Sequence, residues 1–138
     1  MTTLNPLQPD LKTALEFLNA LEPNGHFTFQ TFDDRKSGKN SSLARVLHGT
    51  LAEHANALTD LNNRGAGVFV TVNKTDLRGR KLENIVSVRA LFVDLDGAPL
   101  TPILDSQVEP NIIVESSPGR WHAYWLCELS KEEFSLGQ

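Results

Sequence analysis

The run Leu91-Phe92-Val93-Asp94-Leu95-Asp96-Gly97 sets two carboxylates two residues apart in apolar surroundings. In a β-strand alternate side chains share a face, so Asp94 and Asp96 point the same way. Two residues rise about 6.6 Å, which lets both carboxylates reach one site. Such a pair repels itself unless a cation lies between its members. A hard divalent ion with oxygen ligands, Mg²⁺ or Mn²⁺, suits that place. It can also bind triphosphate oxygens and stabilise charge during phosphoryl transfer. The same pattern equally describes a strand end with two solvated aspartates before a glycine turn.

A second run, Glu115-Ser116-Ser117-Pro118-Gly119-Arg120-Trp121-His122-Ala123-Tyr124-Trp125, carries a cation and an imidazole near aromatics. Arg120 and His122 beside a carboxylate pair suit an anionic phosphate tail. Taken alone, His122 also fits a hydrogen-bonded structural role, and the aromatics read as sheet packing. A turn at residues 117–120 would set Glu115 opposite His122 and let it hold one ring nitrogen. Five of the 13 basic residues, Lys74, Arg78, Arg80, Lys81 and Arg89, lie close together in sequence. They read either as a solvated loop or as phosphate contacts for nucleotide or DNA. His26, His48 and His54 lack ligand-like spacing and read as structural. Asp33-Asp34 reads as a turn.

These residues need elements to hold them. Leu11, Ala14, Leu15, Leu18 and Leu21 recur at helical spacing, with Asp10 at the start and Glu22-Pro23 at the end. Residues 26–32 alternate like a half-buried strand, and 33–42 read as a loop. Leu43, Leu47, Leu51, His54, Leu58 and Leu61 predict a second helix. Residues 68–72 predict a short strand, 73–84 an ordered basic loop, and 89–96 a central strand. Residues 111–116 and 121–127 predict an antiparallel hairpin, because Pro118 and Gly119 suit the turn between them.

The chain has 138 residues, 40% of them hydrophobic and 22% charged, which suits one globular domain. A net charge of -4 argues against a general nucleic-acid coat, but a local basic groove is compatible with it. The single cysteine, Cys127, excludes an internal disulfide framework. Residues 1–9 show no secretory pattern and no apolar run spans a bilayer, so a cytoplasmic protein without a membrane partner is expected.

The two runs together, Phe92 to Asp96 and Ile113 to Trp125, resemble the archaeo-eukaryotic primase superfamily. They are most similar to the RepB-like primase domains of plasmid, phage and prophage replication proteins. Gly65-Ala66-Gly67-Val68-Phe69-Val70, Asn73 and Arg89-Ala90-Leu91 resemble the same proteins, so the likeness covers about half the chain. The resemblance implies an α+β fold: an RRM-like, mostly antiparallel sheet with helices on one face, preceded by an N-terminal α/β unit. Residues 1–84 would form that unit and 85–138 part of the catalytic sheet. Asp94 and Asp96 match the acidic motif that binds catalytic Mg²⁺ or Mn²⁺. His122 matches the histidine that contacts the phosphates of the incoming nucleotide.

The implied reaction adds nucleotides to a 3′-hydroxyl. Its partners would be nucleoside triphosphates, a single-stranded DNA template and a helicase domain or protein downstream. Two departures stand out. Arg120 sits where the family has a small residue, and the third, acidic motif is not found, so the domain is expected to be truncated at its C-terminus. The alternative is a non-catalytic nucleotide- or DNA-binding module derived from such a domain. A nicking nuclease would need a histidine pair and a nucleophilic tyrosine, and the sole tyrosine, Tyr124, lies within a predicted strand.

Overall fold

The computed structural model describes residues 10–33, 35, 37–95 and 109–130. The fold is α+β, with two α-helices and two antiparallel sheets among these residues. Helix α1 (Leu11–Leu21) begins where the Asp10 carboxylate accepts the Thr13 amide at 3.0 Å. It ends at Glu22, whose amide donates to the Leu18 carbonyl.

Strand β1 (Phe27–Asp33) is the centre of the first sheet, flanked by β2 (Arg45–Gly49) and β3 (Ala66–Val70). Between β2 and β3 lies α2 (Leu51–Asn63). The second sheet runs β4 (Lys74–Thr75), β5 (Ile85–Asp94), β7 (Arg120–Ser130), β6 (Ile112–Ser117). Because β4 pairs with β5, this sheet draws on residues from both sides of position 84. One core joins the two sheets. Leu18, Leu21, Phe27, Phe29 and Leu58 bury themselves together with Ala90 of β5 and Tyr124 of β7. Phe17 of α1 meets the Tyr124 ring edge-on, centroids 5.1 Å apart.

The expected helix from Leu43 to Leu61 is corrected: its first half is strand. Gly49 has φ +141, a conformation open to glycine and not to a helix. Thr50 then starts α2 with a reciprocal cap, its side chain accepting the Glu53 amide while Glu53 reaches back to Thr50 N–H. Leucines at 43, 47 and 51 happen to satisfy helical spacing while lying in a 3-10 turn (Ser41–Leu43), in β2 and in α2. The other expected helix and strands lie within four residues of their observed bounds, whereas the expected loop at 73–84 contains β4 and a 3-10 turn (Leu82–Asn84). Among the described residues, no helix is long and apolar enough to cross a membrane.

Candidate active site

Asp94 ends β5, and its partner across the sheet is His122 of β7. The Asp94 Oδ1 and His122 Nε2 atoms stand 3.6 Å apart, with the two side chains 58% and 28% exposed. The pair is therefore open to a ligand rather than sealed in the core. It sits next to the row in which Phe92 pairs with Tyr124, whose rings are 5.5 Å apart.

Tyr124 governs the imidazole. Its hydroxyl lies 3.3 Å from His122 Nδ1. Burial, and then the charge of Asp94, push the phenol above its ordinary pKa, so it keeps its proton at neutral pH. Tyr124 is buried, and among the described residues its hydroxyl has His122 Nδ1 as its hydrogen-bond partner, so its hydrogen is used by donating to that nitrogen. His122 Nδ1 is then the acceptor, and Nε2–H faces Asp94 and whatever binds beside it. The i, i+2 spacing of His122 and Tyr124 was the sequence signal for this contact, although Tyr124 reads there as packing alone.

The expected Glu115–His122 pair is corrected. A β-bulge between Glu115 and Ser117 gives β6 one residue more than its partner. Val114 consequently faces His122, and Glu115 faces Trp121. Neighbouring residues on a strand point to opposite faces, so Glu115 lies on the side away from the imidazole. Arg120 opens β7 opposite Ser117 and is exposed. Alternation puts it on the same side as His122.

Asp96 lies outside the described residues. Among those described, no three His, Cys, Asp or Glu side chains converge on a metal position. The donor set still fits a hard cation, because Mg²⁺ commonly takes one or two carboxylates and fills its shell with waters and substrate phosphates. The exposed Asp94 carboxylate would be such a ligand, and the adjacent Nε2–H suits a phosphate oxygen.

The basic residues divide into two groups. Arg89 is 5% exposed, donates to the His26 carbonyl at 2.5 Å, pairs with Glu22 at 3.2 Å and lies over the Phe27 ring. It is a core residue, not part of a phosphate-binding loop, and its expected ligand contact is corrected on that ground. Lys74 lies 3.8 Å from the same Glu22 carboxylate. Arg78, Arg80 and Lys81 are exposed and line one cleft of about 540 Å³ together with His48 and Val46 of β2.

That loop is cross-braced. The Asp76 carboxylate accepts the Arg78 amide at 2.8 Å and the Asn84 side chain at 3.2 Å. Asn84 Oδ1 accepts the Lys81 amide at 3.1 Å, and the Asp76 amide donates to the Asn84 carbonyl at 2.8 Å. These bonds hold the Asp76 carboxyl below its usual range, the Arg78 amide contributing most. Strand β5 separates the loop from Asp94. Its ten residues put the two ends about 30 Å apart.

His26 contributes its backbone carbonyl to Arg89. His54 donates from Nε2 to the His48 carbonyl at 2.7 Å and packs edge-on against Phe29, both structural roles. Asp33 clasps the loop that follows β1, accepting from the Arg35 guanidinium and the Asn40 amide. Comparison with protein-family models, curated proteins and solved structures gives no match.

Proposed function

We propose that this chain is a nucleotidyltransferase domain of the primase-polymerase type, from a plasmid, phage or prophage replication protein. The observation that carries the reading is the exposed Asp94–His122 pair, joined across adjacent strands with the imidazole oriented by Tyr124. In this reading Asp94 and Asp96 hold Mg²⁺ or Mn²⁺, which would neutralise charge on the triphosphate. His122 donates from Nε2 to a phosphate oxygen, and Arg120 adds a charge-assisted contact to the same tail. The primer 3′-hydroxyl oxygen forms a bond to the α-phosphorus. The bond to the β-phosphate oxygen breaks, pyrophosphate leaves, and the hydroxyl proton passes to solvent. The chain's contribution is position and electrostatics, the main levers in phosphoryl transfer.

A second reading, a non-catalytic DNA-binding module, is favoured by the separation of the braced basic loop from Asp94. It uses the cleft and leaves the pair idle. Incorporation of a labelled nucleotide into a primed template, with and without Mn²⁺, tests the first reading. Metal-dependent extension that falls at least about 100-fold in Asp94→Asn is expected, a loss on the scale of removing a main electrostatic group. Equal extension by parent and variant would reject it.

A further inference from the structure

His48, silent in the sequence, stands at the end of a buried hydrogen-bond chain. The Leu77 amide donates to Thr75 Oγ1 at 3.0 Å. Thr75 Oγ1 lies 2.7 Å from Thr28 Oγ1, which lies 2.9 Å from His48 Nδ1. Thr28 and Thr75 are 1% and 5% exposed. Each hydroxyl has one hydrogen to give. Were His48 the donor, Thr28 would donate to Thr75, and the Thr75 hydrogen would be buried with no acceptor among the described residues. Only the opposite direction, Leu77 to Thr75 to Thr28 to His48, spends every hydrogen. Leaving a buried donor unmade is the costlier choice. His48 Nδ1 is therefore an acceptor, and the ring proton sits on Nε2.

The half-buried His48 ring lines the same cleft as Arg78, Arg80 and Lys81. Its ring is fixed by Thr28, and Leu77, which starts the chain, takes φ +62 at the beginning of the basic loop. The loop and the imidazole are thus set by one buried network. Glu83 is the acidic residue on the cleft wall, so the cations outnumber it.

We propose that this cleft binds the phosphodiester backbone of a single DNA strand, with His48 as a neutral donor among three cations. The inference rests on the nucleotidyltransferase reading and names the part that holds DNA. Distance selects the strand over the incoming nucleotide: about 30 Å along β5 separates the loop from Asp94. At about 3.4 Å per nucleotide of a stacked strand, that is roughly nine nucleotides from the reacting end. A free triphosphate bound at Asp94 cannot reach it.

The test is fluorescence polarisation of labelled oligo-dT with the full chain in metal-free buffer across a salt series. Each single-strand phosphate neutralised adds about 0.7 to the salt slope. Replacing Arg78, Arg80 and Lys81 together by Gln should weaken binding at least tenfold and flatten the slope by roughly 2. His48→Phe should weaken binding severalfold with the slope unchanged, because a neutral donor releases no counterion. Thr28→Val, which removes the partner of His48 Nδ1, should repeat the His48→Phe loss and release the His48 proton from Nε2 alone in ¹⁵N spectra, while Thr28→Ser restores both.

Parental affinity and slope in the triple variant would overturn the proposal. So would a parent His48 protonated on Nδ1 alone, or inorganic phosphate and a nucleoside triphosphate competing as well as oligo-dT. Failure of the nucleotidyltransferase reading is seen separately, as Asp94→Asn extending a primer like the parent.

Discussion

The phenol of Tyr124 holds the imidazole of His122 through Nδ1, at 3.3 Å, from within the hydrophobic core. The reactive end of the sheet is thereby tied to the packing of α1, since Phe17 lies against the same tyrosine ring. Replacing Tyr124 by Phe keeps that packing and deletes the hydroxyl with its hydrogen bond. It should lower nucleotide incorporation about tenfold or more, as loss of an orienting partner does, with thermal stability near the parent. His122 should also lose its fixed tautomer in ¹⁵N spectra. Unchanged incorporation and an unchanged tautomer would mean that the hydroxyl does not orient the ring.

Much of this was legible in the sequence, and the exceptions have physical causes. The helix at Leu11–Leu21 follows from periodicity, because burial of one face imposes it, and the strands that carry Asp94 and His122 follow from their apolar and aromatic runs and the turn that joins β6 to β7. The leucines at 43 and 47 mimic a helix, and the overriding signals, Gly49 and the Thr50–Glu53 cap, are local. The partner of Glu115 was misassigned because one bulged residue shifts every pairing beyond it. Arg89 was grouped with the basic loop by nearness in sequence, whereas it is the fifth residue of β5, a strand that enters the core. The His48 network joins β1, β2 and β4, so no local pattern announces it.

Arg89 offers a test of its structural role. Burial pulls its pKa down from the ordinary value and Glu22 opposes this, while Nε and Nη1 are buried without hydrogen-bond partners among the described residues. Such a group costs desolvation on one side and strands its partner if truncated. Arg89→Ala should cost roughly 3 kcal/mol in urea unfolding. Arg89→Met, which fills the volume and needs no partner, should cost clearly less. Equal losses would show that the ion pair and hydrogen bonds, rather than packing, decide stability there.

Asp33 should give the fold an acid limit. The Arg35 guanidinium, then the Asn40 amide, hold its carboxyl far below the usual range. A folded-state pKa below the unfolded value means that the stabilisation is complete above the unfolded value of about 3.9. It is lost only as pH falls from there through the lower folded value. Asp33→Asn should therefore melt lower than the parent by a constant margin from neutral pH down to about 5, and the gap should close below about 4. A gap that stays constant through that acid range would contradict the Asp33–Arg35 clasp.

The central claim is that Asp94 and His122 form one end of a metal–nucleotide site. Titrating Mn²⁺ with a non-hydrolysable nucleoside triphosphate into ¹⁵N-labelled chain tests it most directly, because paramagnetic broadening marks the residues nearest the ion. Broadening should centre on Asp94, Leu95, Trp121 and His122, spare the loop at Arg78 to Lys81, and vanish in Asp94→Asn. Broadening that is absent, spread over the surface, or unchanged in Asp94→Asn would contradict the account.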